Sequence, residues 1–426
     1  MKFWEKVTCA SMLVVFCATN IFASNDEMCD RLRLLIDVMD LINTNYVSET
    51  NPKDLVVGAI KGVVATLDPF SQYMEEKAYR NMKNETRGSY NGIGLRIMIR
   101  NDFLTIVSPL PDSPAYRAGV LPEDRIFKID GKCTAGMSSS EAINLMRGKA
   151  GKKVKITILR DNLPGELEFN LVREKIKIET VKAIMLDDDI VYIRLKEFNA
   201  QSAGDIKKVL TNYQKQGIKA LILDLRNNPG GLLDSAINII SMFIKDRKLA
   251  LTTRGKIAEI KKEYFTTGDG EFSDLPIVIL INKGSASASE ILSGVMQDFK
   301  RALIIGSNTF GKGNIQTVLP LPGRTALKLT VAKYYLPSGR SINGFDNNNA
   351  KNGITPDIEI KIGMEDEIKL YMQGEIISAS NKDYKSIVDM EKKVEDKVLN
   401  KALEIIRENK VIEKIKLSTA LTDLKK

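Results

Sequence analysis

Ala220-Leu221-Ile222-Leu223-Asp224-Leu225-Arg226-Asn227-Asn228-Pro229-Gly230-Gly231 is a short apolar run that ends in a turn-forming cluster, and a helical pattern follows over Leu232–Ile244. The same order of events recurs from Ile277 to Ile281, where an apolar run passes through Gly284-Ser285-Ala286-Ser287 into a helical pattern over Ala288–Lys300. Short apolar runs bounded by turn residues read as buried strands, and strand–turn–helix units in series build a parallel or mixed α/β layer. The two units predict the central layer of the molecule.

Working outward, the pattern changes on both sides. Between Arg31 and Val47 the residues Leu34, Leu35, Val38, Met39, Leu41 and Ile42 recur at helical spacing, and a second helical run covers Leu55–Leu67. Leu67-Asp68-Pro69-Phe70-Ser71 breaks it, because proline disfavours helix at the residue before it. From 88 to 173 short strands dominate, at Leu95–Ile99, Leu104–Val107, Ile126–Ile129, Val154–Leu159 and Glu166–Leu171. They surround one helix, which Ser138-Ser139-Ser140-Glu141 opens with a capping box. Asp187-Asp188-Asp189 reads as a hairpin turn rather than a metal site, since one acidic run lacks the spaced ligands of a calcium loop. The expected organisation is a helical region over 24–87, a β-rich domain over 88–173, an α/β core over 174–364 and a charged helical region over 365–426.

A chain of 426 residues accommodates two to four domains of roughly 100 to 200 residues. It contains no histidine, which excludes Ser-His-Asp triads, Cys-His dyads and HExxH zinc sites. Acid–base chemistry falls to Lys, Asp, Glu, Tyr or Cys. The formal charge of +9 is spread among acidic neighbours without an arginine-rich arm, so it reads as solvated surface and not as a nucleic-acid footprint. Lys2 and Lys6, the apolar stretch Val7–Phe16 and the small Ala23 read as an export signal over residues 1–23, and the apolar stretch alone is too short to span a bilayer at roughly 20 residues. Export to the periplasm is expected, or membrane association if the signal stays uncleaved. Removal of the signal leaves Cys29 and Cys133, which make no disulfide framework.

The serine cluster Ser285, Ser287 and Ser289 lies where a strand meets a helix. There, unpaired N–H groups and the helix dipole favour developing negative charge. A serine in that place either attacks a carbonyl or simply caps the helix. Without histidine, the base that activates a serine is a lysine whose charged form burial disfavours. Lys312, between Gly311 and Gly313, is the candidate, and strand alternation predicts Lys312, Asn314 and Gln316 on one face, with Gln316 aligning the amine. Gly306 to Gly313 nearly matches a phosphate-binding loop, but Gly313 stands where the magnesium-binding hydroxyl should be and a strand pattern follows instead of a helix. Nucleotide binding is not expected.

Gly284-Ser285-Ala286-Ser287-Ala288-Ser289-Glu290, Thr309-Phe310-Gly311-Lys312-Gly313 with Gln316, Asp224 to Gly231, and Tyr335-Leu336-Pro337-Ser338-Gly339-Arg340-Ser341-Ile342 occur in the order found in the C-terminal processing peptidases. Over residues 30 to 365 the chain resembles that family of Ser-Lys serine peptidases. The resemblance implies an α/β multidomain fold whose core is related to the crotonase and Clp-protease-like layer, with an inserted PDZ domain and helical terminal segments. It implies Ser287 as nucleophile, Lys312 as general base, Gln316 as its orienting partner, and an oxyanion hole from Ala288 N–H with Gly230 or Gly231. Glu290 either supports the site or serves as a first-turn dipole residue. The 88–173 segment resembles a PDZ domain through Gly92-Ile93-Gly94-Leu95, the loop that would hold a terminal carboxylate, and through Ser113-Pro114-Ala115 and Ile129-Asp130-Gly131. Arg147 either links the domains or is a surface base. The implied partners are protein or peptide substrates with apolar C-terminal tails, with no cofactor, metal or nucleotide, and a homo-oligomer formed through the terminal helices. The competing reading is a catalytically silent PDZ-bearing scaffold, against which Ser287, Lys312 and Gln316 stand together.

Overall fold

The computed structural model describes residues 27–415 apart from 101–102, 111, 162, 187–188, 258–260, 343–352, 364, 368, 371–393 and 412. The expected export signal lies outside the described residues. The chain divides into two compact units, Met1–Met74 with Val318–Leu329, and Glu75–Thr317 with Thr330–Lys426.

The larger unit is built on a six-stranded sheet in the order Val181–Leu186, Ile190–Leu195, Ala220–Asp224, Ile277–Ile281, Leu303–Gly306 and Ile358–Glu359. Its first two strands pair antiparallel, with Leu186 opposite Ile190, while residues 187–188 of the expected hairpin turn lie outside the described residues; the remaining contacts are parallel. Alternate residues of each strand point to opposite faces. Leu221, Leu223, Ile277, Ile279 and Ile281 pack with the helices Ser202–Gln214, Leu233–Ser241 and Ala288–Asp298. Ala220, Ile222, Val278 and Leu280 pack on the other face with Val398, Leu399, Ala402 and Ile405 of the C-terminal helix Lys397–Arg407. Burial on both faces explains why these strands are continuous apolar runs.

A second sheet in this unit orders Leu95–Arg100, Phe103–Pro109, Arg125–Ile129, Lys153–Leu159 and Glu166–Val172, all antiparallel. Ile93, Ile106, Ile126, Ile129, Val154, Ile156 and Ile158 form its core together with Ala142 and Met146 of the helix Ser139–Met146. The capping box forms, with Ser138 N–H donating to the Glu141 carboxylate at 2.8 Å and Glu141 N–H to Ser138 Oγ at 3.3 Å. At the other end of this helix the Arg173 guanidinium takes the carbonyls of Leu145 and Met146 at 2.7 and 2.9 Å.

The N-terminal region departs from the helical expectation after residue 67. Helices occupy 27–45 and Pro52–Ala65. Asp68 then accepts hydrogen bonds from Phe70 N–H, Ser71 N–H and Ser71 Oγ, each at 2.8 Å, and this turn releases the chain as the strand Gln72–Met74. The helix Glu76–Thr86 follows; its polar sequence carries too few periodic apolar residues to announce it. Asn314–Leu321 and Thr325–Tyr335 form a long ribbon. The tip of Thr325–Tyr335 pairs with Gln72–Met74 through Gln72↔Lys328, Tyr73↔Leu327 and Met74↔Ala326, and its root pairs with Leu249–Gly255 through Thr252↔Tyr335 to Gly255↔Ala332.

Candidate active site

Ser287 ends the turn that leaves the strand Ile277–Ile281 and immediately precedes the helix Ala288–Asp298. Its backbone is left-handed, at φ 54° and ψ −113°, a costly conformation for a residue with a Cβ and one that persists only where surrounding contacts enforce it. Those contacts separate the three serines. Ser285 Oγ donates to Leu225 O at 2.8 Å and accepts from Asn282 N–H at 3.0 Å, and Ser289 Oγ donates to Asn228 O at 2.9 Å. Ser285 and Ser289 are fully buried, whereas Ser287 is partly exposed. Two of the three therefore fasten this segment to the 225–231 stretch, Ser285 at Leu225 and Ser289 at Asn228, and the third remains partly exposed.

That turn lies against the helix start. A Cβ added to Gly230 would sit 2.7 Å from Ala286 O, 2.8 Å from Ala288 N and 2.8 Å from the Ser287 Cβ, so only glycine permits the approach. Gly230 N–H donates to Asn228 Oδ1 at 2.9 Å, and Gly230 O accepts from Phe198 N–H at 2.9 Å. In a trans peptide the N–H of the next residue points opposite the carbonyl, so Gly231 N–H is directed away from Phe198 N–H. Ala286 N–H donates to Asn228 O at 3.0 Å and closes the contact.

Glu290 is fully buried and gathers the site. Its Oε1 accepts from Thr309 Oγ1 at 2.6 Å and Gly311 N–H at 2.7 Å, and its Oε2 accepts from Ser287 N–H at 2.7 Å and Lys312 N–H at 2.9 Å. One carboxylate oxygen thus holds the backbones of Ser287 and Lys312. Burial pushes its carboxyl above the ordinary 4.5, and the hydrogen bonds from Thr309, Gly311, Ser287 and Lys312 oppose that shift. Lys312 lies just before the strand that begins at Asn314, so the expected alternation applies to Asn314 and Gln316 and does not extend to Lys312. The two flanking glycines explain the break. Gly311 is left-handed at φ 91°, and Gly313 O accepts from Tyr334 N–H at 2.8 Å.

Tyr334 was not singled out by the sequence pattern. It is 6% exposed, and its side chain hydrogen-bonds Ser287. Burial, with Tyr264 nearby, pushes its hydroxyl up to about 12 against the lowering effect of the Ser287 bond, so it stays protonated at any working pH. Its place in a strand beside the quoted Tyr335-Leu336-Pro337 run was the available signal: alternation turns one tyrosine of the pair inward.

Gly92-Ile93-Gly94-Leu95 lies at the entry to the second sheet. Ile93 is buried in that sheet's core, so its backbone, not its side chain, is available to a ligand. Ile93 O accepts from Ala115 N–H at 3.0 Å, and Gly94 O accepts from Leu110 N–H at 2.8 Å and Ser113 Oγ at 3.1 Å. With both carbonyls bound inward, the N–H groups of Gly94 and Leu95 point the opposite way. The Arg147 guanidinium lies 4.7 Å from the Tyr90 ring centre, a cation–π contact beside this loop.

Residues 189–360 match the model of peptidase family S41, residues 105–160 that of the PDZ domain, and residues 17–78 that of the activating protease CtpB N-terminal domain. The chain is similar to a carboxy-terminal-processing protease of Bartonella bacilliformis, 38% identical over 85% of this chain and 82% of that protein. It is also similar to a carboxyl-terminal-processing protease of Synechocystis sp., 35% identical over 84% of this chain and 86% of that protein. Among solved structures, a photosystem II D1 C-terminal processing protease is 29% identical, with a TM-score of 0.44 over 77% of this chain and 92% of that one.

Proposed function

Since this chain belongs to the carboxy-terminal processing proteases of peptidase family S41, and is a serine-type peptidase with a PDZ domain, we propose that Ser287 and Lys312 carry its chemistry. The neutral amine of Lys312 takes the Ser287 proton as Oγ attacks the scissile carbonyl. The oxyanion accepts from Ala288 N–H and from Gly231 N–H; Gly230 N–H is already engaged by Asn228. As the intermediate collapses, the Lys312 ammonium returns the proton to the departing amine. Water, giving its proton to the same amine, then attacks the acyl carbon, and the Lys312 ammonium returns that proton to Ser287 Oγ as the C–Oγ bond breaks and the acid leaves. Gln316 orients Lys312, and the Tyr334 hydroxyl holds Ser287 Oγ in place.

The observation that carries this reading is the shared Glu290 carboxylate, which brings a strained serine and a lysine together in a chain without histidine. Substrates are selected by their ends: the N–H groups of Gly94 and Leu95 receive a terminal carboxylate while an apolar tail pairs along Leu95–Arg100. The signal-like residues 1–23 support export to the periplasm, or membrane association if they remain attached. Incubating the protein with a peptide that has a free apolar C-terminus, and locating the cuts by mass spectrometry, tests the proposal. Internal cuts that vanish in Ser287→Ala are expected; equal cutting by that variant would sink it.

A further inference from the structure

Arg226 and Asn282 stand at the roots of the two loops that meet at the reaction centre, and each is held by a carboxylate from beyond the S41 match, which ends at residue 360. Arg226 opens the 226–231 turn. Its Nη1 and Nη2 donate to Asp396 Oδ1 and Oδ2, both at 2.8 Å, a bidentate pair. The same guanidinium reaches Asp224, with Nη2 to Oδ2 at 2.7 Å, and Tyr192 OH donates to that Oδ2 at 2.6 Å. Asn282 opens the serine loop. Its Oδ1 accepts from Asn227 N–H at 2.8 Å and Gly284 N–H at 3.1 Å, and its Nδ2 donates to Asn227 Oδ1 at 2.9 Å and Glu367 Oε1 at 2.6 Å. Asn227 itself is left-handed, at φ 59°, so this part of the turn is under strain that its partners must offset.

We propose that the C-terminal segment is part of the catalytic apparatus: Asp396 and Glu367 are positioning residues that clamp the oxyanion turn and the serine loop from behind. The inference rests on the reading of those loops as the reaction centre. Arg226 is partly buried, and its withdrawal from water works against its charge. Asp224 and Asp396 outweigh that cost and hold its pKa well above the ordinary value. Removing Asp396 leaves Arg226 with one carboxylate where it had two, and frees it to tilt the turn that begins at its own backbone. The displacement reaches Gly231 through Asn227 and Asn228, the residues whose bonds lock the turn to Asn282, Ala286 and Ser289. A shift of about 1 Å in such a donor is enough to cost up to 10²-fold in rate.

Asp396 also caps the helix Lys397–Arg407, accepting from Leu399 N–H at 3.1 Å, and this second duty supplies the control. Asparagine caps a helix about as well as aspartate but cannot complete the charged bidentate pair. The full-length chain carrying Asp396→Asn, Asp396→Ala or Glu367→Gln is compared with wild type by amide hydrogen exchange over 225–231 and 282–289, and by kcat and KM on a peptide with an apolar tail. Asp396→Asn should speed exchange in both loops about tenfold and lower kcat by about tenfold, with KM held within about twofold. Glu367→Gln should loosen 282–289 more than 225–231. Loop exchange at the wild-type rate in Asp396→Asn, with loss confined to Asp396→Ala, would reduce Asp396 to a helix cap and overturn the proposal. The exchange arm is independent of turnover: faster loops in a chain that cuts no peptide would uphold the clamp and sink the proteolytic reading.

Discussion

The three serines show how one residue type takes two roles within five positions. Ser287→Ala should abolish turnover at only a small cost in melting temperature, because its side chain fastens neither loop to the other and gives up its bond to Tyr334. Ser285→Ala and Ser289→Ala each delete a buried hydrogen bond between the loops, and each should cost about 1 kcal/mol of stability with partial loss of activity, read by urea denaturation and peptide cleavage. Lys312→Arg should be as inactive as Lys312→Ala, since guanidinium does not deprotonate. An active arginine variant would show that positive charge, not basicity, is required. Glu290 gives a separate pH signature. Burial raises its folded value above 4.5, so the folded chain binds this proton more tightly than the unfolded one. The resulting stability is complete below 4.5 and is lost as pH climbs through the folded value. Glu290→Gln should flatten that slope and, by turning an amide donor toward N–H groups, cost about 2 kcal/mol in urea unfolding at neutral pH.

At the scale of elements, the loop before Leu95–Arg100 predicts how substrates are chosen. A free-acid peptide should be cut with higher kcat/KM than its amidated form or one ending in Asp, with the same internal bond. Gly94→Ala should erase the difference, because its Cβ would lie 2.2 Å from the Ser113 Cβ and its backbone is left-handed at φ 75°. Equal kcat/KM for all three peptides in the wild type would show that this loop does not read tails. Elements whose signal is local were legible in the sequence. Ser138 and Glu141 announced their helix start, and the apolar runs 220–225 and 277–281 announced the parallel strands, because burial on both faces leaves no polar residue in them. Elements defined by distant partners were not. Gln72-Tyr73-Met74 has no strand pattern of its own and becomes one by pairing across most of the chain with Ala326-Leu327-Lys328. The site divides in the same way. Ser287 and Lys312 lie in short glycine-rich motifs, whereas Tyr334, Asp396 and Glu367 reach the loops only through tertiary packing, which no spacing rule encodes.

Across the whole molecule, the helix 27–45 leaves Leu34 60%, Ile36 64% and Leu41 61% exposed, far more apolar surface than an isolated surface helix usually shows water. Self-association through this helix should appear as a concentration-dependent sedimentation coefficient, and Leu34→Lys with Leu41→Lys should collapse it to that of a monomer. A single concentration-independent species in the wild type would oppose this expectation. No helix among the described residues is long and apolar enough to cross a membrane. The discontinuous smaller unit also imposes an order on synthesis. The ribosome delivers Gln72-Tyr73-Met74 early, yet the strand that completes their pairing emerges only when residues 326–328 do. Until then the nascent N-terminus carries an unsatisfied strand edge and two helices with little to bury them, the state most open to chaperones and to misfolding partners. Translational pauses before the ribbon codons would lengthen that exposure. Pauses after them would not, so codon usage upstream of residue 326 should govern the yield of folded protein more than codon usage downstream.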